Sequence, residues 1–398
     1  MSIAVRDNTT YAVEIEDVEG TYKAPASGAS FVLTLSDGAE ISMEKETLER
    51  AVFNGSLGKT TPRTGTRTVS GSLPVEFKGT STEGAAPEYD ALMRSALGAR
   101  RQVSATDADN SDTTGPLAHT ESRIFLADID SDKYEVGDIV TVKVAGAYHT
   151  SPISAVNDEA GEAYIDLLVA ADTAFENGNT IAAFTRYAAA ESGHPSLSIS
   201  KYIEEERLEQ ATGCRVTSMA LENFSTGQLA SWNFGFEGLD WDSSLTTQPH
   251  TATYDDSLPP IILNACVFKD GEKIDVNEIS FSVENELGFV TSTCSPNGRI
   301  SGRPTERTVT GSFTPYKNDD DVTTITEFKD NTEFSMFGYA YIPGDSGEYS
   351  QVVAFYMPAC IITEVSEGEQ DGLLQEEVSF QAAKGSDTSQ TEIFISFN

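Results

Sequence analysis

Arg67-Thr68-Val69-Ser70-Gly71-Ser72-Leu73 returns later in the chain as Arg307-Thr308-Val309-Thr310-Gly311-Ser312-Phe313. In both stretches hydroxyl residues alternate with apolar ones, the period of a half-buried β-strand. Just upstream, Ser42-Met43-Glu44-Lys45-Glu46 returns as Ser282-Val283-Glu284-Asn285-Glu286. Gly58 and Gly298, and Arg63 and Arg303, keep the same offset of 240 residues. A gapless offset over so long a span reads as a duplication, and repeats decide the fold before anything else does. The chain is therefore expected to be mainly β, made of two tandem units, each a set of strands with one helix.

The repeat continues less strictly. Pro87-Glu88-Tyr89-Asp90-Ala91-Leu92-Met93-Arg94-Ser95-Ala96-Leu97 carries helix signals, with Pro and Glu at the start and Gly98 at the stop. Tyr89, Leu92, Met93 and Ala96 make an apolar stripe at helical spacing. Its counterpart is a weaker helical stretch, Asp321-Val322-Thr323-Thr324-Ile325-Thr326-Glu327-Phe328. The strand Ser231-Trp232-Asn233-Phe234-Gly235-Phe236 corresponds to Glu377-Val378-Ser379-Phe380-Gln381, and residues 391–398 read as a closing strand. Residues 106–116 and 241–258 are polar, turn-rich linkers. Four short strands, at 123–127, 139–144, 163–169 and 180–185, form a block foreign to the repeat and are expected to build a small β-barrel or sandwich. The resulting division is 1–118 for the start of the first unit, 119–190 for an insert, 191–246 for the rest of that unit and 247–398 for the second. Residues 47–65 and 287–305 read as long loops between matched strands, long enough to reach a neighbour in an assembly.

Charge and cysteine content narrow the function. The chain holds 26 Lys and Arg against 63 Asp and Glu, a net charge of −37. Such a surface repels nucleic acid and acidic membranes. No run approaches the roughly 18 apolar residues of a membrane helix. The start, Met1-Ser2-Ile3-Ala4-Val5-Arg6-Asp7, shows no secretion signal, so cytoplasmic synthesis is expected. Cys214, Cys266, Cys294 and Cys360 form no CxxC pair and read as buried free thiols. His119, His149, His194 and His250 sit in turn-like contexts. Gly344-Asp345-Ser346-Gly347 has a protease-like ring to it, but no His base supports it, and a turn is the better reading. Asp128-Ile129-Asp130-Ser131-Asp132 begins like a calcium loop and then places Lys133 where Gly is needed and Ile139 where Glu is needed. No catalytic residue, metal or cofactor is expected.

Arg63, Arg67, Arg303 and Arg307 stand out in so acidic a chain. Glu44, Glu46, Glu284 and Glu286 are their expected partners, within a unit or across a joint between subunits or rings. Exposed pairs of this kind contribute about 0–1 kcal/mol each, so their value would be register.

At these residues the sequence resembles the tail tube proteins of long-tailed bacteriophages. The resemblance rests on the two Arg-Thr-Val strands, the 89–98 helix, Glu19-Gly20-Thr21-Tyr22-Lys23-Ala24-Pro25, and the ending from Asp371-Gly372-Leu373-Leu374 to Ser379-Phe380-Gln381-Ala382. It covers most of the chain outside 119–190. It implies two tandem β-sandwich units, each flanked by a helix, in a virion structural protein assembled in the host cytoplasm, whose sheets join those of neighbours around a lumen that carries DNA without binding it specifically. It also implies contact with the tape measure, terminator and distal tail proteins. Ordinary members place one unit in each of six positions of a ring. Two units per chain would then make a ring of three chains, with the insert outside because inside it would block DNA. A tail terminator or adaptor ring is the nearest alternative. A surface adhesin should carry a secretion signal, and a β-rich hydrolase should carry a His-centred site.

Overall fold

The computed structural model describes residues 5–53, 55, 58–111, 118–127, 130–144, 147–159, 162–295, 297–317, 323–343, 349–385 and 391–398. The first unit opens with β1 (Thr9–Ile15), β2 (Phe31–Val32), β3 (Glu40–Leu48), β4 (Arg63–Glu76), helix α1 (Asp90–Leu97) and β5 (Gly98–Val103). A separate six-stranded sheet follows, made of β6 (Thr106–Asp107), β7 (Arg123–Phe125), β8 (Ile139–Val144), β9 (Ala147–Asn157), β10 (Tyr164–Leu167) and β11 (Thr180–Ile181). The chain returns through β12 (Phe184–Ala189), β13 (Leu197–Ile203), β14 (Arg207–Glu222), β15 (Ser231–Gly238) and β16 (Asp240–Leu245). The second unit holds β17 (Ala265–Lys269), β18 (Glu272–Ile274), β19 (Val276–Thr291), β20 (Arg299–Pro315), α2 (Thr323–Asp330), β21 (Phe334–Pro343), β22 (Tyr349–Gln370), β23 (Leu373–Ala383) and β24 (Phe394–Phe397).

The chain is mainly β, and the two copies pair their strands in one register. Ser42 lies opposite Ser70 and Met43 opposite Val69. Ser282 lies opposite Thr310 and Val283 opposite Val309, each 240 residues on. In the first copy the strands run in the order β3-β4-β15-β14, and in the second β19-β20-β23-β22. The likeness extends to irregularities. A bulge between Val216 and Ser218 recurs between Ile362 and Glu364, an offset of 146 that also relates Cys214 to Cys360. Each bulge bends one long strand so that it serves two layers. The first half of β14 pairs with β13 and β16, and the second half with β15 and β19. Likewise β22 pairs first with β21 and β24, then with β23.

The layers pack over one apolar core. Val69, Leu73, Trp232, Phe234, Met219, Phe281, Val309, Phe313, Phe355 and Phe380 all belong to it. Gly71 is small for a steric reason. A Cβ there would stand 2.5 Å from the Phe236 ring, and one at Gly311 2.5 Å from the Phe380 ring. Helix α1 turns Leu92, Met93, Ala96 and Leu97 inward and stops at Gly98, whose φ of 93° suits glycine. Helix α2 begins at Thr323, and the expected start at Asp321 and Val322 lies outside the described residues.

Two expectations about loops and borders change. The 287–305 stretch is mostly strand, because β19 and β20 run on to a turn between Thr291 and Arg299. The Arg299 guanidinium lies 4.1 Å from the centre of the Phe289 ring and helps hold this extension. In the first copy the strands stop at Leu48 and Arg63, so 49–62 remains a connection. The separate sheet runs from Thr106 to Ile181, earlier at both ends than 119–190. Strand β12 instead joins β5 and β24 at the border of the second unit. The separate sheet has its own core, including Ile124, Val142, Ile153 and Ile165. Its Ile139 and Val169 pack on Val352, Ala354, Tyr356 and Phe394. The intervening Val353, Phe355 and Ile395 point into the main core. The insert therefore covers the second unit's sheet on the face turned away from that core. Arg101 of β5 and Arg186 of β12 meet the fully buried Asp138 carboxylate there, with Arg186 at 2.8 Å. Burial pushes the Asp138 carboxyl up, against the opposing pull of Arg186 and Arg101.

Candidate assembly surface

The two four-stranded halves meet inside the chain. Ser218, Met219, Ala220 and Leu221 of β14 pair with Glu284, Val283, Ser282 and Phe281 of β19. Asn285 closes this seam by donating to the carbonyls of Ala96 at 2.9 Å and Val216 at 3.4 Å. The Ala96 carbonyl is among those a helix leaves without an internal partner at its C-terminus. The result is one eight-stranded sheet, β3-β4-β15-β14-β19-β20-β23-β22.

Its two ends are the counterparts of its middle. Strand β3 corresponds to β19, and the second half of β22 to the second half of β14. Among the described residues, β3 pairs only with β4, and residues 364–370 of β22 only with β23. Side-chain burial records the difference. Phe281 and Val283 are 2% and 0% exposed beneath the seam, whereas Ile41 and Met43 are half-buried. Met219 is 0% exposed, whereas Val365 is half-buried. Unpaired edges of this kind are templates for another strand.

The sheet face opposite the core is hydroxylic and acidic. One row of facing residues runs Glu40, Ser72, Gly235, Ser218, Glu284, Thr308 across six strands. A second runs Asn233, Ala220, Ser282, Thr310, Gln381, and a third Ser280, Ser312, Ser379, Glu364. These rows contain no cationic side chain. Burial raises the Glu284 carboxyl above the ordinary carboxylate range.

Two of the arginines singled out in sequence, Arg67 and Arg307, find other partners within the chain. Arg67 faces Asp240 at 4.0 Å, and Arg307 pairs with Glu392 at 3.0 Å while donating to the Ala190 carbonyl at 2.9 Å. Glu44 and Glu284 stand opposite Thr68 and Thr308, and Glu286 opposite Glu306. Glu46 accepts from the Thr66 hydroxyl at 3.0 Å. Arg63 lies opposite Leu48 and Arg303 opposite Gly288. Asn285, the residue that fastens the seam, was not singled out. Its one signal was a break in the repeat, since the first copy has Lys45 there. Glu19 was noted only as part of a motif. It joins the copies, taking Arg215 at 2.9 Å from the first and the Gly302 amide at 2.8 Å from the second.

The histidines serve the fold. His194 lies within hydrogen-bond distance of the carbonyls of Ser95 and Ala190, and His149 of that of Val169. Cys214 and Cys360 are buried, Cys266 is half-buried, and Cys294 is exposed, so the expectation of four buried thiols holds for two. Residues 344–347 and Asp128-Ile129 lie outside the described residues, while Asp130 pairs with Lys133 at 2.6 Å. Among the described residues no cluster of metal-ligating side chains occurs, and no helix is long and apolar enough to cross a membrane.

A duplicated β unit with complementary open edges and a polar, acidic sheet face defines a structural protein built to join copies of itself. A family model described as phage tail tube protein matches residues 7–382, and the chain belongs to that family. The family is one of structural tail components, not of enzymes. No curated protein matches the chain.

Proposed function

We propose that three chains close into a ring, that rings stack into the tail tube, and that DNA leaves through its lumen. The observation that carries this reading is the internal seam between β14 and β19. It joins two copies of one unit, so the same joint made between chains uses the second half of β22 and β3 of the next chain. Carrying over the two offsets sets Glu364 opposite Glu44, Val365 opposite Met43 and Ser366 opposite Ser42. Six units in three chains then close one continuous sheet with no free edge.

The rows of hydroxyls and carboxylates are proposed to line the lumen. Phosphates are repelled by such a wall and find no cations to release counterions against, so DNA slides without sticking. The insert packs on the layer away from this face, which supports an outward position on the tube. Arg63, Arg67, Arg303 and Arg307, with Glu44, Glu46, Glu284 and Glu286, are proposed as contacts between subunits or rings. Tape measure, terminator and distal tail proteins are the proposed partners at the tube ends. Electron microscopy of the concentrated protein tests the reading. Hollow tubes with a pseudo-sixfold wall and three outer projections per ring are expected. Rings that never stack would point to an adaptor, and a persistent monomer would overturn the proposal.

A further inference from the structure

Beside the internal seam, the two copies also interlock through a hairpin. Residues 223–230, between β14 and β15, reach out of the first unit into the second. The Gly227 amide donates to the Ile262 carbonyl at 3.0 Å, and the Ile262 amide donates to the Gln228 carbonyl at 3.0 Å. Single bridges link Ser225 to Glu278 and Leu229 to Ile261. Phe224 is 3% exposed, with its ring centre 5.8 Å from that of Phe77 and 5.9 Å from that of Phe355. This hairpin lies against a cleft of the second unit lined by Ile262, Cys266, Val267 and Ile274, with about 220 Å³ left open.

The first unit has the corresponding cleft, and among the described residues no hairpin occupies it. Val13 and Lys269 stand opposite the matched Ile199 and Met336, which sets β1 and β17 at an offset of 256. Arg6, Thr10 and Tyr11 thereby match Ile262, Cys266 and Val267, and Thr34, which faces Val75, matches Val276, which faces Pro315 and also lines the second unit's cleft. Arg6, Thr10, Tyr11 and Thr34 line an open cleft of about 770 Å³. The second unit in turn has a corresponding but shorter hairpin, and among the described residues no cleft holds it. Residues 369–374 project between β22 and β23 on a turn with positive φ at Asp371 and Gly372. Leu373 and Leu374, at its tip, are 58% and 60% exposed. Leu373 is the counterpart of Leu229, since Phe236 and Phe380 occupy equivalent places 144 residues apart.

We propose that the 369–374 hairpin of one chain plugs the Arg6–Tyr11 cleft of the next. The assignment rests on the ring reading above, and it names a docking site that the paired strand edges alone do not require. The plug places Leu373 opposite Val5, as Leu229 faces Ile261 within the chain. Charge also favours the fit, because Glu369 and Asp371 flank the tip while the cleft is lined by Arg6 and Lys201 against one acid, Asp7, with Lys201 shared with Glu209 at 3.5 Å. The offset order also gives direction. Unit one plugs unit two within a chain, and unit two plugs unit one of the following chain.

Zero-length carbodiimide cross-linking of tubes assembled from mixed ¹⁵N-labelled and unlabelled wild-type protein tests the plug. Peptides linking Lys201 of one isotope to Glu369 or Asp371 of the other are expected in tubes and absent from monomers. The double variant L373D/L374D is expected to melt like wild type and to need at least tenfold more protein to assemble. Tubes whose 369–371 segment cross-links elsewhere would overturn the plug and leave the ring standing. Failure of wild-type protein to form rings at all would overturn both.

Discussion

Gly71 and Gly311 show how single residues hold the repeat in register. Both lie in a strand interior, where glycine ordinarily weakens a sheet. Each clears space for an aromatic ring of the facing strand, Phe236 or Phe380. Replacing Gly311 by alanine forces that ring or the strand to shift, and overpacking of this kind costs about 1–3 kcal/mol. The drop is expected in the denaturant midpoint of G311A, with G71A behaving alike because its site is the same. These glycines were legible in the sequence, since they sit inside the repeated motif. Their reason was not, because Phe236 and Phe380 come from strands far along the chain. Asn285 shows the limit from the other side. It reads as an ordinary polar strand residue until a helix end from the other copy is set beside it.

At the scale of elements, periodicity located β3, β4, β19 and β20 because each pair is joined by a local hairpin. It failed where pairing is remote or a pattern is broken. Strand β9 carries Pro152 within Ala147–Asn157, which interrupts the alternation, and it was not expected. Strand β12 was assigned to the insert, yet its partners are β5 and the C-terminal β24. Beside β24, the Arg307–Glu392 pair clasps the chain end to β20. Burial alone would raise the Glu392 carboxyl, but hydrogen bonds from Thr391 and its own backbone, together with Arg307, outweigh it and hold it below its ordinary 4.5. The unfolded chain therefore takes up this proton first as the solution is acidified. The clasp's contribution is complete above about pH 4.5 and fades as pH falls through the depressed value. Acid titration of folding stability should show E392Q losing less stability than wild type over that interval, although it starts lower at neutral pH. An unchanged slope would assign the clasp no role.

For the whole molecule, duplication and insertion act in opposite directions. Duplication makes the two units equivalent around the sheet, down to the bulges at 216–218 and 362–364. The insert, packed on the β22–β24 layer of the second unit and on β5 and β12, breaks that equivalence. A constant offset made the first property legible in sequence. The two free edges and the internal seam required the fold, because they follow from which strands become neighbours.

The central claim is that the seam within a chain is the template for the seam between chains. Cysteines introduced at Met43 and Val365, in a background where exposed Cys294 is serine, test it most directly after assembly and mild oxidation. A non-reducing ladder of one, two and three chains of 42.8 kDa that stops at three is expected, with reduction returning the monomer. A ladder that runs on to six, or tubes that yield no cross-link at this pair, would contradict it.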